Sequence, residues 1–86
     1  MLIDIRTFRL GDGVSDEAFL TADREAQAIV HRARGAVRRT TARRDDGRWL
    51  VLTFWYDAEC ADAVGDDPLA GLIVEEAVER YDDIGG

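Results

Sequence analysis

The run Trp49-Leu-Val-Leu-Thr-Phe-Trp-Tyr56 restricts the fold more than any other part of the chain. Read as a strand, it puts Trp49, Val51, Thr53 and Trp55 on one face and Leu50, Leu52, Phe54 and Tyr56 on the other. An antiparallel strand with one face in water alternates apolar with polar residues. This one does not, so both of its faces need cover. Each large apolar side chain left in water forgoes about 1.5–3 kcal/mol, and a patch of them marks an association site. A chain of 86 residues has little else to offer, because small domains bury a limited fraction of their surface. The single cysteine, Cys60, excludes an intramolecular disulfide, and no Cys/His group has zinc spacing. A second copy related by two-fold symmetry is the commonest remedy; a flat ligand against the strand is the other.

The flanking segments supply partners for this strand. Leu2 to Arg9 alternates and is rich in β-branched and aromatic residues, which predicts a strand. Gly11-Asp12-Gly13 breaks it. Ser15 then suits a helix N-cap, with Asp16 and Glu17 where the helix dipole favours negative charge. Phe19, Ala22, Ala26, Ile29 and Ala33 recur at spacings of three and four and form one apolar stripe. Gly35 is placed to end this helix. Asp45-Asp46-Gly47 predicts a hairpin between Ala36–Arg44 and Arg48–Tyr56. Asp57 caps a short helix from Ala58 to Val64, and Asp67-Pro68 suits a further turn. Residues 74–84 fit either a helix as far as Arg80 or a closing strand. Residues 1–86 form a single domain on this reading.

Charge narrows the partners. The net charge of −7 divides into −3 over residues 1–31, +5 over residues 32–48 and −9 over residues 49–86. Phosphate binding needs a broad basic footprint, so nucleic acid is not the expected partner. No run of about 18 apolar residues predicts a spanning helix, and the Met1–Arg6 segment does not resemble a signal peptide. A cytoplasmic protein is the default expectation. All eleven basic residues are Arg, with twelve Asp and twelve Ala, a composition expected of a GC-rich bacterial genome.

The order strand–helix–strand–hairpin–strand–helix–strand, with Phe8-Arg-Leu-Gly-Asp-Gly, Phe19 on the helix, the Trp49–Asp57 run, an Ala-rich helix and Asp67-Pro68, resembles antibiotic-biosynthesis-monooxygenase-like members of the dimeric α/β-barrel superfamily. The resemblance implies an α+β, ferredoxin-like βαββαβ fold: a four-stranded antiparallel sheet with helices on one face, paired into a homodimeric barrel with a cavity beside each sheet. It favours a strand over Ala77–Ile84. Family activities include cofactor-free oxygenation of polyketide-type phenols and oxidative haem cleavage. Trp55 matches the cavity-lining Trp of catalytic members. The Asn of haem-degrading members falls at about Arg6, and their iron-ligating His near Ala70 or Gly71. Arg and Ala have no lone pair for iron, so no haem, metal or other cofactor is expected.

Arg6, Phe8, Arg38, Trp49, Thr53 and Trp55 are the ligand-pocket candidates. The two Trp either stack on a planar ligand or fill a dimer core. Leu50, Leu52 and Phe54 are assigned to the helices, and Trp49, Val51 and Trp55 to a partner or cavity. Arg6 and Asp4 share a strand face with Phe8; a buried Arg needs a partner, either an acid such as Asp4 or an anionic ligand. Depending on hairpin register, Arg38, Thr40 and Arg44 or else Arg39, Thr41 and Arg43 neighbour the Trp face. Asp23, Gln27 and His31 form a helical row that reads as surface hydrogen bonding. Cys60 reads as a small buried hydrophobe. The expectation is a homodimer binding a small planar or anionic molecule; the alternative is a cofactor-independent monooxygenase for an aromatic, polyketide-like substrate.

Overall fold

The computed structural model describes residues 1–85 and has strands β1 (Leu2–Leu10), β2 (Ala36–Arg43), β3 (Trp49–Trp55) and β4 (Ile73–Asp82), with helices α1 (Asp16–Arg32) and α2 (Ala58–Asp62). The sheet order is β2-β3-β1-β4, every neighbouring pair antiparallel. This is the ferredoxin-like α+β arrangement. Residues 73–82 are strand, which resolves the helix–strand alternative.

Local chemistry explains the boundaries. Ser15 Oγ accepts from the Ala18 N–H at 3.0 Å, satisfying one of the orphan donors of the first turn of α1. The helix stops one residue earlier than a Gly35 cap implies: Ala33 is already extended, and Gly35 makes the turn into β2 with φ +80°. Asp57 caps α2 by accepting from the Cys60 N–H at 2.9 Å, and that helix ends at Asp62, short of Val64. The hairpin closes through Gly47 at φ +85°, whose N–H donates to the Arg44 carbonyl.

The cores correct one expectation directly. Trp49, Val51, Thr53 and Trp55 are buried beneath the helices. Phe19 of α1 sits 4.6 Å from the Trp49 ring and 5.5 Å from Phe8, centroid to centroid. Phe8, Phe19, Ala26, Trp49, Val51 and Leu69 form one core cluster, and Leu2, Trp55 and Ala61 another. Leu50, Leu52 and Phe54, assigned to the helices from sequence, lie on the opposite face with Ile3 and Ile5, outside both clusters. The two faces are exchanged because the apolar stripe of α1 offers aromatic area at Phe19, and Phe8 and Trp49 meet it from adjacent strands.

Candidate functional site

The register decides which polar residues lie under the helices. Arg39 pairs with Thr53, Thr41 with Val51 and Arg43 with Trp49, so the odd-numbered set shares the Trp face. Arg38 pairs with Phe54 across the bulge at residue 37; it lies exposed on the other face, which removes it from any site on the Trp face. On β1, Asp4 pairs with Thr53 and Arg6 with Val51, placing both beneath the helices.

These side chains meet around a cavity of about 190 Å³ between the sheet and α1. Val51 and Trp55 form its apolar floor, Ile29 and Val30 of α1 its roof, and Asp4, Arg6, Thr53 and Arg39 its polar points. Asp66, Asp67 and Pro68, in the loop after α2, close one side. Of the sequence candidates, Arg6, Thr53 and Trp55 thus stand together. Phe8 is fully buried in the aromatic core, and Trp49 serves that core and a separate depression by the hairpin.

Arg6 is held by acids from two other segments, neither of them Asp4. Its NH1 and NH2 donate to the two Asp67 oxygens at 3.2 and 3.0 Å, and its Nε donates to Glu76 Oε2 at 2.6 Å. Burial acts to lower its pKa, but the hydrogen bonds to Asp67 and then Glu76 outweigh it, and the guanidinium is held above its ordinary value. The bidentate geometry fastens the Asp67 loop to the sheet. Glu76 is reachable because β4 bulges at Glu75, whose φ is +51°.

Arg39 is the second cation of the cavity and the more deeply buried. Its NH2 donates to Asp23 Oδ1 at 2.8 Å and its NH1 to Gln27 Oε1 at 3.2 Å, while Thr41 Oγ1 donates to Asp23 Oδ2 at 2.8 Å. The helical row is therefore an internal network at Asp23 and Gln27, whereas His31 is exposed and lies outside the cavity. Asp4 is different again. Its Oδ2 lies 3.7 Å from Arg80, while Oδ1 is, among the described residues, the one buried side-chain oxygen or nitrogen without a hydrogen-bond partner. The spacing of Asp23 and Gln27 on α1 was a visible signal for the Arg39 network, but no spacing pointed to Asp67 or Glu76 as partners of Arg6.

Two other depressions have less chemistry. One of about 300 Å³ lies between the end of α1 and α2, where Asp57 and burial hold the Cys60 thiol above its ordinary pKa, the reverse of nucleophile activation. The other, about 220 Å³ beside the hairpin, is ringed by Arg43, Arg44 and Arg48. Asp16 pairs with Arg43, Asp46 with Arg44, and the Glu75 carbonyl accepts from Arg48. No helix of the described residues is long and apolar enough to cross a membrane.

Haem does not fit the residues of the cavity between the sheet and α1. Iron in haem takes His, Cys, Met or Tyr as axial ligand, and none of these lines it. Ala70 and Gly71 are exposed in the turn before β4.

No family model and no curated protein matches the chain. Solved structures do. SnoaB of Streptomyces nogalater, a cofactor-independent oxygenase, superposes with a TM-score of 0.84 at 15% identity, over 99% of this chain and 94% of that one. A protein of Nitrosomonas europaea, provisionally an antibiotic biosynthesis monooxygenase, gives 0.82 at 18% identity, over 99% and 100%. A point mutant of MhuD, with two manganese protoporphyrin IX molecules bound per active site, gives 0.73 at 17% identity over the whole of both chains. The chain thus has the fold of antibiotic-biosynthesis-monooxygenase-like proteins.

Proposed function

We propose that this chain is a homodimeric protein that binds a small planar molecule between Trp55 and α1. The cavity carries this reading: it is a concave site in which convergent polar groups surround an aromatic floor, and such concavities are where ligands bind. Its size limits the ligand. At about 190 Å³ it is below the ~300–1,000 Å³ of drug-sized sites, yet above the ~150 Å³ cavity that takes benzene. A molecule of one or two fused rings suits it. Arg6 and Arg39 already face carboxylates, which favours a neutral ligand over an anion. Two indole N–H signals report binding in a ¹⁵N spectrum. Titration with flat one- and two-ring compounds is expected to move the Trp55 signal and leave Trp49 nearly still; an unmoved Trp55 signal across the panel refutes the site.

The dimer rests on the open face. Ile3, Ile5, Leu50, Leu52 and Phe54 line it with no helix above. The edges differ in sign: β2 presents Arg38 and Arg43, and β4 presents Glu75, Glu79 and Asp82. A two-fold axis along the strands lays the basic edge of one copy over the acidic edge of the other. Leu52→Arg, at the centre of the face beside Ile5 and Thr40, is expected to turn a dimer into a folded monomer by sedimentation. A monomeric parent protein refutes the pairing.

A second reading follows from the likeness to SnoaB: cofactor-independent oxygenation of an aromatic substrate. The substrate anion itself would pass an electron to O₂, and the protein would contribute orientation and electrostatic stabilisation. Oxygen uptake with one- and two-ring hydroquinones tests it. Binding without uptake leaves the non-catalytic reading standing alone.

A further inference from the structure

We propose that the depression of about 220 Å³ beside the hairpin is a second binding site, for a one-ring aromatic anion whose charged group meets Arg48 and whose ring lies against Leu50 and Trp49. It does not depend on the cavity under α1. The charge of its lining sets it apart: three guanidiniums, Arg43, Arg44 and Arg48, and no carboxylate, in a chain of net charge −7. The cavity under α1 has two Arg and three Asp in its lining. Acids do stand outside the depression, but each faces a cation already. Asp16 takes Arg43, Asp46 takes Arg44 at 2.7 Å, and Glu75 lies 3.7 Å from Arg9. Arg48 is the exception. It is half-buried, and its NH2 donates only to neutral oxygens, Thr7 Oγ1 at 3.4 Å and the Glu75 carbonyl at 3.2 Å. Of the three, it alone has no carboxylate partner among the described residues. Those two bonds aim it, and the carbonyl comes from the β4 bulge, where Glu75 holds a φ of +51° that costs a non-glycine residue energy. A guanidinium carries five N–H donors. Arg43 and Arg48 each commit one nitrogen and Arg44 two, so all three keep donors for a ligand. Planar guanidiniums match a carboxylate, and Leu50 with Trp49 gives its ring an apolar floor. The volume, above the ~150 Å³ that takes benzene, suits one ring with its charged group.

Benzoate, benzamide and benzamidine test this, having nearly the same flat shape and differing in charge. Each is titrated at low salt into the intact protein, following the Trp49 and Trp55 indole N–H signals. Benzoate is expected to move the Trp49 signal and to bind there about 10-fold or more tightly than benzamide, the range for a hydrogen bond to a charged group. Benzamidine should leave that signal still, and sodium chloride should weaken benzoate binding. Arg48→Gln should lose most of benzoate's advantage. Arg44→Gln, whose side chain is 70% exposed and whose loss the fold tolerates, should lose a smaller part. Benzoate and benzamide binding equally, or an advantage that survives in Arg44→Gln and in folded Arg48→Gln, overturns the site. So does inorganic phosphate moving the Trp49 signal as far as benzoate, which would mean an unselective basic patch. Benzoate that moves only Trp55 belongs to the cavity under α1 and overturns the second site while supporting the first. Benzoate that binds Leu52→Arg but not the parent protein would show that a second copy fills the depression, because Thr7 and Leu50 pair on the bare face, and that result overturns it as well.

Discussion

Asp23→Ala is expected to be among the most damaging single substitutions outside the aromatic core. Asp23 accepts from Arg39 and from Thr41, both at 2.8 Å, and the Arg39 side chain is only 4% exposed. Removing the carboxylate leaves a guanidinium under α1 with Gln27 Oε1 as its remaining side-chain acceptor on that helix. Breaking a buried pair in this way costs about 3–5 kcal/mol. A domain of this kind has a total stability of roughly 5–15 kcal/mol, so the variant should sit near its folding limit. At roughly 4–8 °C per kcal/mol for a chain of this length, the melting temperature should fall by about 12–40 °C. Urea unfolding followed by Trp fluorescence measures the loss; protein concentration is held fixed, since the proposed dimerisation would make stability concentration-dependent. The double variant Asp23→Leu with Arg39→Met separates a broken pair from a missing one. Replacing both partners by apolar groups is often neutral, so the double variant should recover most of the loss. A cost below about 1 kcal/mol for Asp23→Ala, the value of an exposed pair, would show that water reaches Arg39 and refute the burial argument. So would a double variant as unstable as the single one.

Gly35→Ala should destabilise by about 1–2 kcal/mol from its left-handed backbone alone, and by more because a Cβ there would stand 2.5 Å from Cys60 Sγ. Adding Cys60→Ala should recover only part of the second loss, because the Cβ of residue 60 would still stand 2.8 Å from the new one, and none of the first, as thermal melts of the three variants will show. Phe19→Ala removes the ring that joins Phe8 to Trp49 and should cost about 3–5 kcal/mol in chemical denaturation. Asp46 should titrate near pH 2 by carboxyl-detected NMR, because Arg44 and then the Arg48 N–H hold its pKa down from 3.8 to about 2. With the folded value lowered, its contribution is complete above the ordinary carboxylate range and disappears as pH falls through 2; a midpoint near 3.8 would mean that the hairpin bonds do not form in solution.

Element order was legible in the sequence because each element carried its own local signal. Ser15 before an acidic first turn, Phe19 and Ala26 at helical spacing, and Asp45-Asp46-Gly47 between two strands each specify structure without reference to the rest of the chain. Facing was not legible in the same way. Both faces of β3 are apolar, so periodicity alone gives no preference, and two Trp suggest a partner as readily as a core. The partners of Arg6 were equally hidden, since Asp67 and Glu76 lie 61 and 70 residues away and reach it through a loop and a bulge that no local pattern fixes.

Yet the neighbouring strands hold the information that β3 lacks. The helix-covered face carries Asp4, Arg6, Arg39, Thr41 and Thr53 among its apolar residues, whereas the uncovered face carries Ile3, Ile5, Leu50, Leu52 and Phe54 across its two central strands. Polarity is thus inverted relative to a sheet with one face in water. A face that mixes charge with aromatics cannot close as a dry core: its cations need internal acids, supplied by Asp23, Asp67 and Glu76, and polar side chains hold space open where pure apolar packing would fill it. The uncovered face differs: its centre is apolar, with Thr7, Arg38, Thr40 and Glu79 around it, and that centre gains by meeting another surface. The same distribution puts the cavity under the helices and the proposed association surface on the bare sheet. It also means that occupying the cavity and pairing the sheets need not compete, because Trp55 and Phe54, adjacent in sequence, point to opposite sides.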